Sequence, residues 1–585
     1  MSYDLLFRQA IEYHQQGDFD QAEQIYRHIL ETVPQQPDVL NLLGLIAQTK
    51  NIHQEAINLF YQAIQSDSKR PQFYFNLGIS LHLWNKPYEA LEAFEKSASL
   101  DANIKETWLE IGNLYKELNQ KENADNAYNN ALNLDNNYIE AHICQITLNN
   151  DSSIVLAELE KLKRLYPNAP QIDFQLGLLY FHQQAYSKAL PLLQSVVSAF
   201  PQHEEANSLL GQIFLATRDI PNAQTAFMQT LAIAPNNLQA LINLGNIETS
   251  RHNYSQAEKY YLRAIELDSN NFDAHHNYAT MLYHQQRTSE ALDEYRKAII
   301  INPQSAEACN NLGLILREQQ DFSEALGLFF NALSINPNQE EISLNIAETL
   351  TLYHNHSPHS AQEIAQNWYK QYPDNIFAQH TFAALNGSSK DDNQQYVQKL
   401  FDNFAPEYEN RLHNIEYTLP AKIKELVGEL KGNILDLGCG TGLTGQHLKS
   451  EYNTLYGVDI SSNMLEFAQQ KNIYQQLYHQ DITDYLQNNQ IKFDFIVAAD
   501  VLCYIAEPEP IFKLCTPAPL CFSIETTDDT DTYQITPSGR YKHSPHYIKQ
   551  LLNKYGYTQI IEYSLNLRNE NHQPVQGMIF IAKQQ

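Results

Sequence analysis

The sequence predicts a multidomain chain in which an all-α superhelical repeat solenoid precedes an α/β domain built on a mostly parallel sheet. Two observations carry that prediction: small residues recur every 34 positions over most of the first 372 residues, and short apolar runs alternate with helical segments after about residue 430. A third observation marks a site. The stretch "NILDLGCGTG", residues 433–442, sets three glycines at alternating positions directly behind an apolar run.

The period is read from Gly44, Gly78 and Gly112, then Gly177, Gly211, Gly245 and Gly313, with Ala279 and Ala347 in the same slot. Twelve residues after these glycines and Ala279 comes an alanine, from Ala56 through Ala325. One small residue marks the closest approach of two helices within a repeat, and the other the packing of the second helix. Pro34, Pro201, Pro235, Pro303 and Pro337 stop the second helix before the next begins. Between Gly112 and Gly177 the spacing is 65, three short of two repeats, which predicts an irregular unit with shortened helices. This pattern resembles the tetratricopeptide repeat over roughly residues 4–372. The resemblance implies a solenoid whose repeats bury their apolar faces against neighbours and present an extended concave surface to a protein or peptide.

Two residues before the marker stand Asn76, Asn243, Asn277, Asn311 and Asn345, four of them in consecutive repeats. A row of carboxamides offers donors and acceptors to the backbone of an extended peptide, and it resembles the asparagine ladder in the repeats of protein O-linked N-acetylglucosamine transferase. The same residues would also serve to keep a helix face polar, or to cap one another between repeats.

Residues 373–395 lose the period and contain a Gly-Ser-Ser-Lys-Asp-Asp break, so they are expected to link a solenoid over 1–372 to a domain over 396–585. In that domain the apolar runs fall at 433–437, 454–459, 493–500, 520–525, 557–565 and 576–583. Runs this apolar, spaced by helices, predict a sheet covered on both faces. The last two lie close together and predict an antiparallel pair at the sheet edge.

In such a sheet the first strand-to-helix turn supports a ligand beside a helix N-terminus. A dinucleotide fingerprint needs glycines at relative positions 1, 3 and 6; here they are Gly438, Gly440 and Gly442, with Leu443 in the sixth place. That weakens a pyrophosphate reading. A ligand with a carboxylate and an ammonium would use loop donors for the first and Asp436 for the second, with Asp459 placed for ribose hydroxyls.

Together "ILDLGCGTG", "GVDIS", "QDI" and "FDFIVAADVL" resemble a class I S-adenosylmethionine-dependent methyltransferase with a Rossmann-like fold, over about residues 400–585. "FDNFAPEYENRL", "GVDISSNMLEFAQ" and "YQITPSGRYKHSPHYIKQLL" further resemble a bacterial group in which such a domain is joined to tetratricopeptide repeats. The resemblance implies S-adenosyl-L-methionine as cofactor, with Gly438, Gly440, Gly442 and Asp436 around its methionine part. It also implies Asp459 with Ile460 on the ribose, and Asp481 with Ile482 on the adenine. Capping of a turn or helix is the plainer role for the two aspartates.

Methyl transfer needs an acceptor in line with the sulfonium, and a base only where the acceptor must lose a proton. Candidates for contact with the chemistry are Asp500, Tyr504 and His543, with Tyr541 and His546 nearby. Tyr408, with Phe404 and Tyr417, would belong to a helical lid across the cofactor, or else to a packed connector. The Asn/Asp-Pro-Pro-Tyr signature of enzymes that methylate adenine or glutamine amides is missing. A small-molecule methyltransferase whose repeats serve assembly, or a noncatalytic cofactor-binding scaffold, stand as the alternatives to a protein methyltransferase.

Composition limits the partners. The chain has 585 residues, 43% hydrophobic and 18% charged, which suits packed domains. A formal net charge of -29 argues against a nucleic-acid backbone as partner. No window reaches the length of an apolar membrane span and the N-terminus lacks a leader pattern, so a cytoplasmic location without membrane contact is expected. Six scattered cysteines predict neither disulfides nor a metal site.

Overall fold

The structure is a computed structural model that describes residues 3–388, 394–570 and 573–584. Residues 389–393, which hold most of the expected Gly-Ser-Ser-Lys-Asp-Asp break, lie outside the described residues. The chain packs as two compact units, Met1–Leu267 and Asp268–Gln585. Residues 373–395 therefore do not separate the units, and helix Ile376–Leu385 occupies part of that segment.

The first unit is a run of helix pairs, beginning with Tyr3–Gln15 and Phe19–Thr32 and ending with Leu238–Ser250 and Tyr254–Leu267. Its repeat glycines are small because a side chain of the second helix lies against each, a ring at all but Gly177, where it is Leu193. A Cβ on Gly44 would meet Phe60 at 2.6 Å, and one on Gly245 would meet Tyr261 at 2.5 Å. Six of the first helices are closed by a non-glycine residue in the left-handed region, Asn51, Asn85, Asn119, Gln184, Arg218 and His252, with φ between 57° and 62°, and Tyr3–Gln15 is followed by Gly17 at φ +80°. The irregular unit is present with only its first helix shortened: Ile139–Ile146 has 8 residues against 13 for Lys105–Glu117, while Ser152–Leu165 keeps the 14 of Lys121–Leu134.

The second unit opens with three more helix pairs, from Phe272–His284 to Pro358–Gln371, and then helix Ile376–Leu385. Gln394–Phe404, a 3-10 turn Ala405–Glu407, and helices Tyr408–Asn414 and Leu419–Val427 lead into the sheet. Its strands are β1 (Gly432–Leu437), β2 (Asn453–Asp459), β3 (Tyr474–His479), β4 (Phe495–Ala498), β5 (Leu520–Thr526), β6 (Tyr533–Ile535), β7 (Tyr541–His543), β8 (Gln559–Glu570) and β9 (Gln573–Lys583).

Strands pair in the order β3-β2-β1-β4-β5-β9-β8, parallel from β3 to β5 and antiparallel at β9 and β8. The β6–β7 hairpin joins through β7, which runs parallel to the end of β5. Alternate residues feed two cores. Leu435, Ile496, Phe522 and Phe580 face one side, and Ile434, Phe495, Cys521 and Ile579 the other. This is an α/β sheet buried on both faces, as the apolar runs predict. The order reverses at β1, whose neighbours are β2 and β4, so the crevice at their carboxyl ends is the expected ligand position.

No helix among the described residues is long and apolar enough to cross a membrane.

Candidate cofactor site

At that crevice lies a cavity whose floor is Gly438, Gly440 and Asp459, with Ile460, Asp481 and Ile482 along one side and Ala499, Asp500, Val501, Tyr504 and Ile505 along the other. Gln394, Val397, Phe401 and Tyr408 cover it. Six of the predicted cofactor residues and Tyr408 thus share one cavity, and two do not line it.

The loop after β1 turns through left-handed glycines, with φ +64° at Gly438 and +53° at Gly440. A Cβ on Gly438 would meet Val501 at 2.6 Å, so the approach of the loops beyond β1 and β4 itself requires glycine there. Asp459, ending β2, fixes the loop: its carboxylate accepts from Gly440 N at 2.8 Å and from Ser461 N at 2.9 Å. Burial raises its pKa above the usual value, against the pull of those bonds.

Asp481 accepts from Thr483 N at 2.7 Å and Asp484 N at 3.1 Å through the same Oδ1. It caps the helix Ile482–Asn488 and lines the cavity at once.

Asp436 and Gly442 sit beneath the loop instead. Asp436 is 1% exposed, and its Oδ2 accepts from Tyr474 Oη at 2.7 Å. Its Oδ1 has no partner among the described residues, and burial pushes the carboxyl up to about 7. Gly442 caps the Leu443–Leu448 helix with φ +86°.

Of the chemistry candidates, Asp500 and Tyr504 line the cavity, and His543 is elsewhere. Its ring is fully buried with Nε2 3.2 Å from Ala506 O, and burial lowers its pKa to about 4. A neutral ring bonded to a loop carbonyl is a structural prop, which takes His543 away from acid–base work in the cavity. Tyr541 is buried beside it on β7, and exposed His546 faces Gln550 at 2.8 Å.

Asp500 holds φ +56° and meets Arg568 at 3.0 Å, while Arg568 also meets Glu525. Asp500, Cys503 and Glu525 bring ligand atoms within 4.8 Å of one another, but the guanidinium already answers the two carboxylates a cation would use.

The cover differs by one helical turn from the expected one. Phe401 stands edge-on to Tyr408 and Tyr504, with centroids 5.9 and 5.1 Å away. Phe404 lies under Arg411 at 4.2 Å and lines a different cavity, and Tyr417 packs on the core below Leu419. Asp402 ties the cover down by accepting from Ser461 Oγ at 2.6 Å.

The asparagines divide by environment. In the first unit, buried Asn76 donates to Asn41 at 2.9 Å, and buried Asn243 has Nδ2 without a partner among the described residues. In the second, Asn277 and Asn311 are half-buried, whereas Asn345 is buried and donates to Asn310 at 2.9 Å. Asn311 and Asn345 line a cavity of about 530 Å³ with Arg317, Phe404 and Arg411.

Comparison with known families agrees with this geometry. The family described as "Methyltransferase domain" matches residues 435–517, from inside β1 through β4. Families described as "Tetratricopeptide repeat" match 7–72, 71–104, 105–138, 180–244, 242–306 and 306–339. The chain carries tetratricopeptide repeats and a methyltransferase domain. The gap between matched repeats, after residue 138 and before 180, holds the irregular unit.

Among curated relatives, the methyltransferase part is 35% identical over 79 residues to a biotin biosynthesis bifunctional protein, BioHC, of Saccharophagus degradans, covering 14% of each chain. It is 29% identical over 102 residues to a ubiquinone biosynthesis O-methyltransferase of Coxiella burnetii, covering 16% of this chain and 44% of that one. It is 38% identical over 90 residues to human methyltransferase-like protein 27, covering 14% and 37%. The chain thus spans less than half the length of each of these relatives.

S-adenosylmethionine is the cofactor that a domain of this family implies, and the residues fit it. The glycine turn leaves open space over Gly440, where a Cβ would meet nothing nearer than Tyr408 at 3.8 Å. Asp459 and Asp481 present carboxylates to the same cavity, and Asp436 keeps one buried oxygen unpaired beneath the loop.

Proposed function

We propose that this chain transfers a methyl group from S-adenosylmethionine to a macromolecular acceptor, a polypeptide recruited by its repeats. One observation carries the cofactor half: Asp459 stitches the glycine loop to β2 while lining the same cavity as Gly438, Gly440 and Asp481. Bound there, S-adenosylmethionine supplies a sulfonium methyl open to nucleophilic attack.

The chain's own groups then bind and orient. Asp459 receives ribose hydroxyls, Asp481 and Ile482 meet the adenine, and the loop amides, supported from beneath by buried Asp436, hold the amino-acid end. Phe401 and Tyr408 form the lid and exclude water. Asp500, paired with Arg568, shapes the acceptor side without serving as a free base. Tyr504 offers a phenol there, and burial keeps it protonated.

Recruitment is supported by the polar cavity of the last repeats, where half-buried Asn311 stands beside Arg317 and Arg411. Single hydrogen bonds of about 0.5–1.5 kcal/mol sum along an extended chain. Tethering raises the local concentration of a weakly bound acceptor. The experiment is transfer of labelled methyl groups to host lysate by the full chain, beside the Asn277→Ala/Asn311→Ala variant. Labelled polypeptide that drops in the variant, at unchanged cofactor affinity, is the expected result. Label in small molecules alone, equal for both proteins, would overturn the recruitment half.

A further inference from the structure

The stretch "YQITPSGRYKHSPHYIKQLL" is not accounted for by cofactor binding. Its first half forms β6, β7 and the turn between them, with Ile535 opposite Tyr541, and the rest opens the helix Pro545–Lys554. The turn is closed by its own backbone: Thr536 N donates to Arg540 O at 2.8 Å and Gly539 N to Thr536 O at 2.9 Å. Gly539 has φ +80°, and a Cβ there would meet His380 Nε2 at 2.4 Å.

Two carbonyls at the tip are held by the last solenoid helices. Thr351, on Glu340–His354, donates to Pro537 O at 3.2 Å. His380, on Ile376–Leu385, has Nε2 3.1 Å from Gly539 O, and its buried ring stacks on Tyr396 with centroids 3.6 Å apart. Burial lowers the pKa of His380 to about 4, so the ring is neutral and the nitrogen facing the carbonyl carries the hydrogen.

Behind the tip stands Arg540. Its Nε donates to Tyr504 Oη at 3.2 Å, and its guanidinium lies 3.9 Å from Glu525. Tyr504 lines the cofactor cavity against Phe401. A phenol oxygen that accepts from a fixed guanidinium has its own hydrogen directed elsewhere, so the arginine sets which way the hydroxyl points.

We propose that Arg540 is a positioning residue that fixes the Tyr504 phenol in the cofactor cavity, and that the terminal solenoid helices hold Arg540 in place through Thr351 and His380. Two elements distant in sequence thereby end on one side chain of the site. The proposal rests on the cofactor reading for its affinity readout only.

The test uses the full chain with 3-fluorotyrosine placed at position 504 and read by fluorine NMR, and calorimetric titration with S-adenosylmethionine. His380→Ala should shift the resonance and weaken binding by about two- to tenfold, the worth of one net hydrogen bond. His380→Gln, which keeps an N–H donor, should restore both. In a Tyr504→Phe background His380→Ala should cost no further affinity, since the positioned group is gone.

An unmoved resonance in a folded His380→Ala chain would overturn the proposal. So would equal affinity losses in the two backgrounds, which a purely structural role produces. If His380→Ala does not fold, Arg540→Lys is read on the same resonance, where a shift supports the proposal and none refutes it. Absence of S-adenosylmethionine binding by the unsubstituted chain would instead sink the cofactor reading, and the resonance would still decide the positioning role.

Discussion

Replacing Asp459 by asparagine keeps the size of the side chain and removes what the site uses. The carboxylate accepts from two backbone amides, Gly440 N at 2.8 Å and Ser461 N at 2.9 Å, one on each oxygen. A carboxamide has one acceptor oxygen and one donor nitrogen, so in either orientation one amide faces another donor. A buried donor left without a partner costs about 1–3 kcal/mol, and each hydrogen bond from a ribose hydroxyl to a charged acceptor is worth about 1.5–3 kcal/mol. With partial relaxation of the loop, the loss in cofactor binding should be about 2–4 kcal/mol, roughly 30- to 1,000-fold in Kd. Calorimetric titration of the folded variant with S-adenosylmethionine at neutral pH measures it, with nicotinamide dinucleotide as the control ligand. A Kd within about threefold of the unsubstituted chain, a change below about 0.7 kcal/mol, would refute the ribose role and with it the reading of the loop. Tight binding of the dinucleotide alone would replace that reading with another.

Three further outcomes are expected. Gly313→Ala should destabilise the second unit by about 1–3 kcal/mol in urea, because its Cβ would meet the Phe329 ring at 2.7 Å. Gly327→Ala, on the next helix with nothing within 4 Å, should instead stabilise by up to about 1 kcal/mol. The third concerns His543, whose pKa falls from 6.5 to about 4 on folding. The unfolded chain binds more protons between those values, so the His543 contribution is present above pH 6.5 and lost as pH falls toward 4. By linkage about 2 kcal/mol should be missing at pH 5 relative to neutral pH. His543→Gln should abolish that part of the slope. Comparing the two proteins cancels Asp436, whose raised pKa acts with the opposite sign.

What the sequence makes legible here is what short-range order determines. The glycine slot predicts the helix approach because a ring from the same repeat fills it, as Phe329 does at Gly313. The loop residues Gly438, Gly440, Asp459 and Asp481 follow from strand ends, since parallel strands bring their carboxyl ends together. β3 escapes the apolar pattern because it is an edge strand, "YQQLYH", with no buried residue. The left-handed cap residues Asn51 and Gln320 carry no glycine signal although the backbone takes a position of that kind in most repeats. Phe401 and Phe404 are three apart on one helix, so period alone puts both on one side without saying which meets the cofactor cavity. Val397, Phe401 and Phe404 share that spacing, and only the fold shows that the first two line the cofactor cavity. Asp436 and His543 were indistinguishable from cavity residues by type, and only the fold places both in buried supports.

The joint between the repeats and the methyltransferase domain bears on how the function can be tested. Glu340 meets Lys399, and Glu348 is shared by Arg317 at 3.0 Å and Arg411 at 3.3 Å, while Thr351 and His380 hold the β6–β7 turn. A fragment begun at residue 395 would lose all of these partners and strip His380 from the face of Tyr396. Its loss of activity would then look like loss of acceptor recruitment while arising from a loosened cavity. A fragment begun at Asp268 keeps the compact unit whole. It should unfold in one transition and bind S-adenosylmethionine within about threefold of the full chain, a difference below about 0.7 kcal/mol. The fragment from 395 should bind at least tenfold more weakly, since more than one supporting hydrogen bond is gone, each worth about 1 kcal/mol. Equal affinity and equal thermal midpoint for the two fragments would refute this, because the repeats would then contribute nothing to the cavity. With the cut at 268, any further loss of methyl transfer to polypeptide reports on the first unit alone, since Asn277 and Asn311 stay with the cofactor cavity in the second.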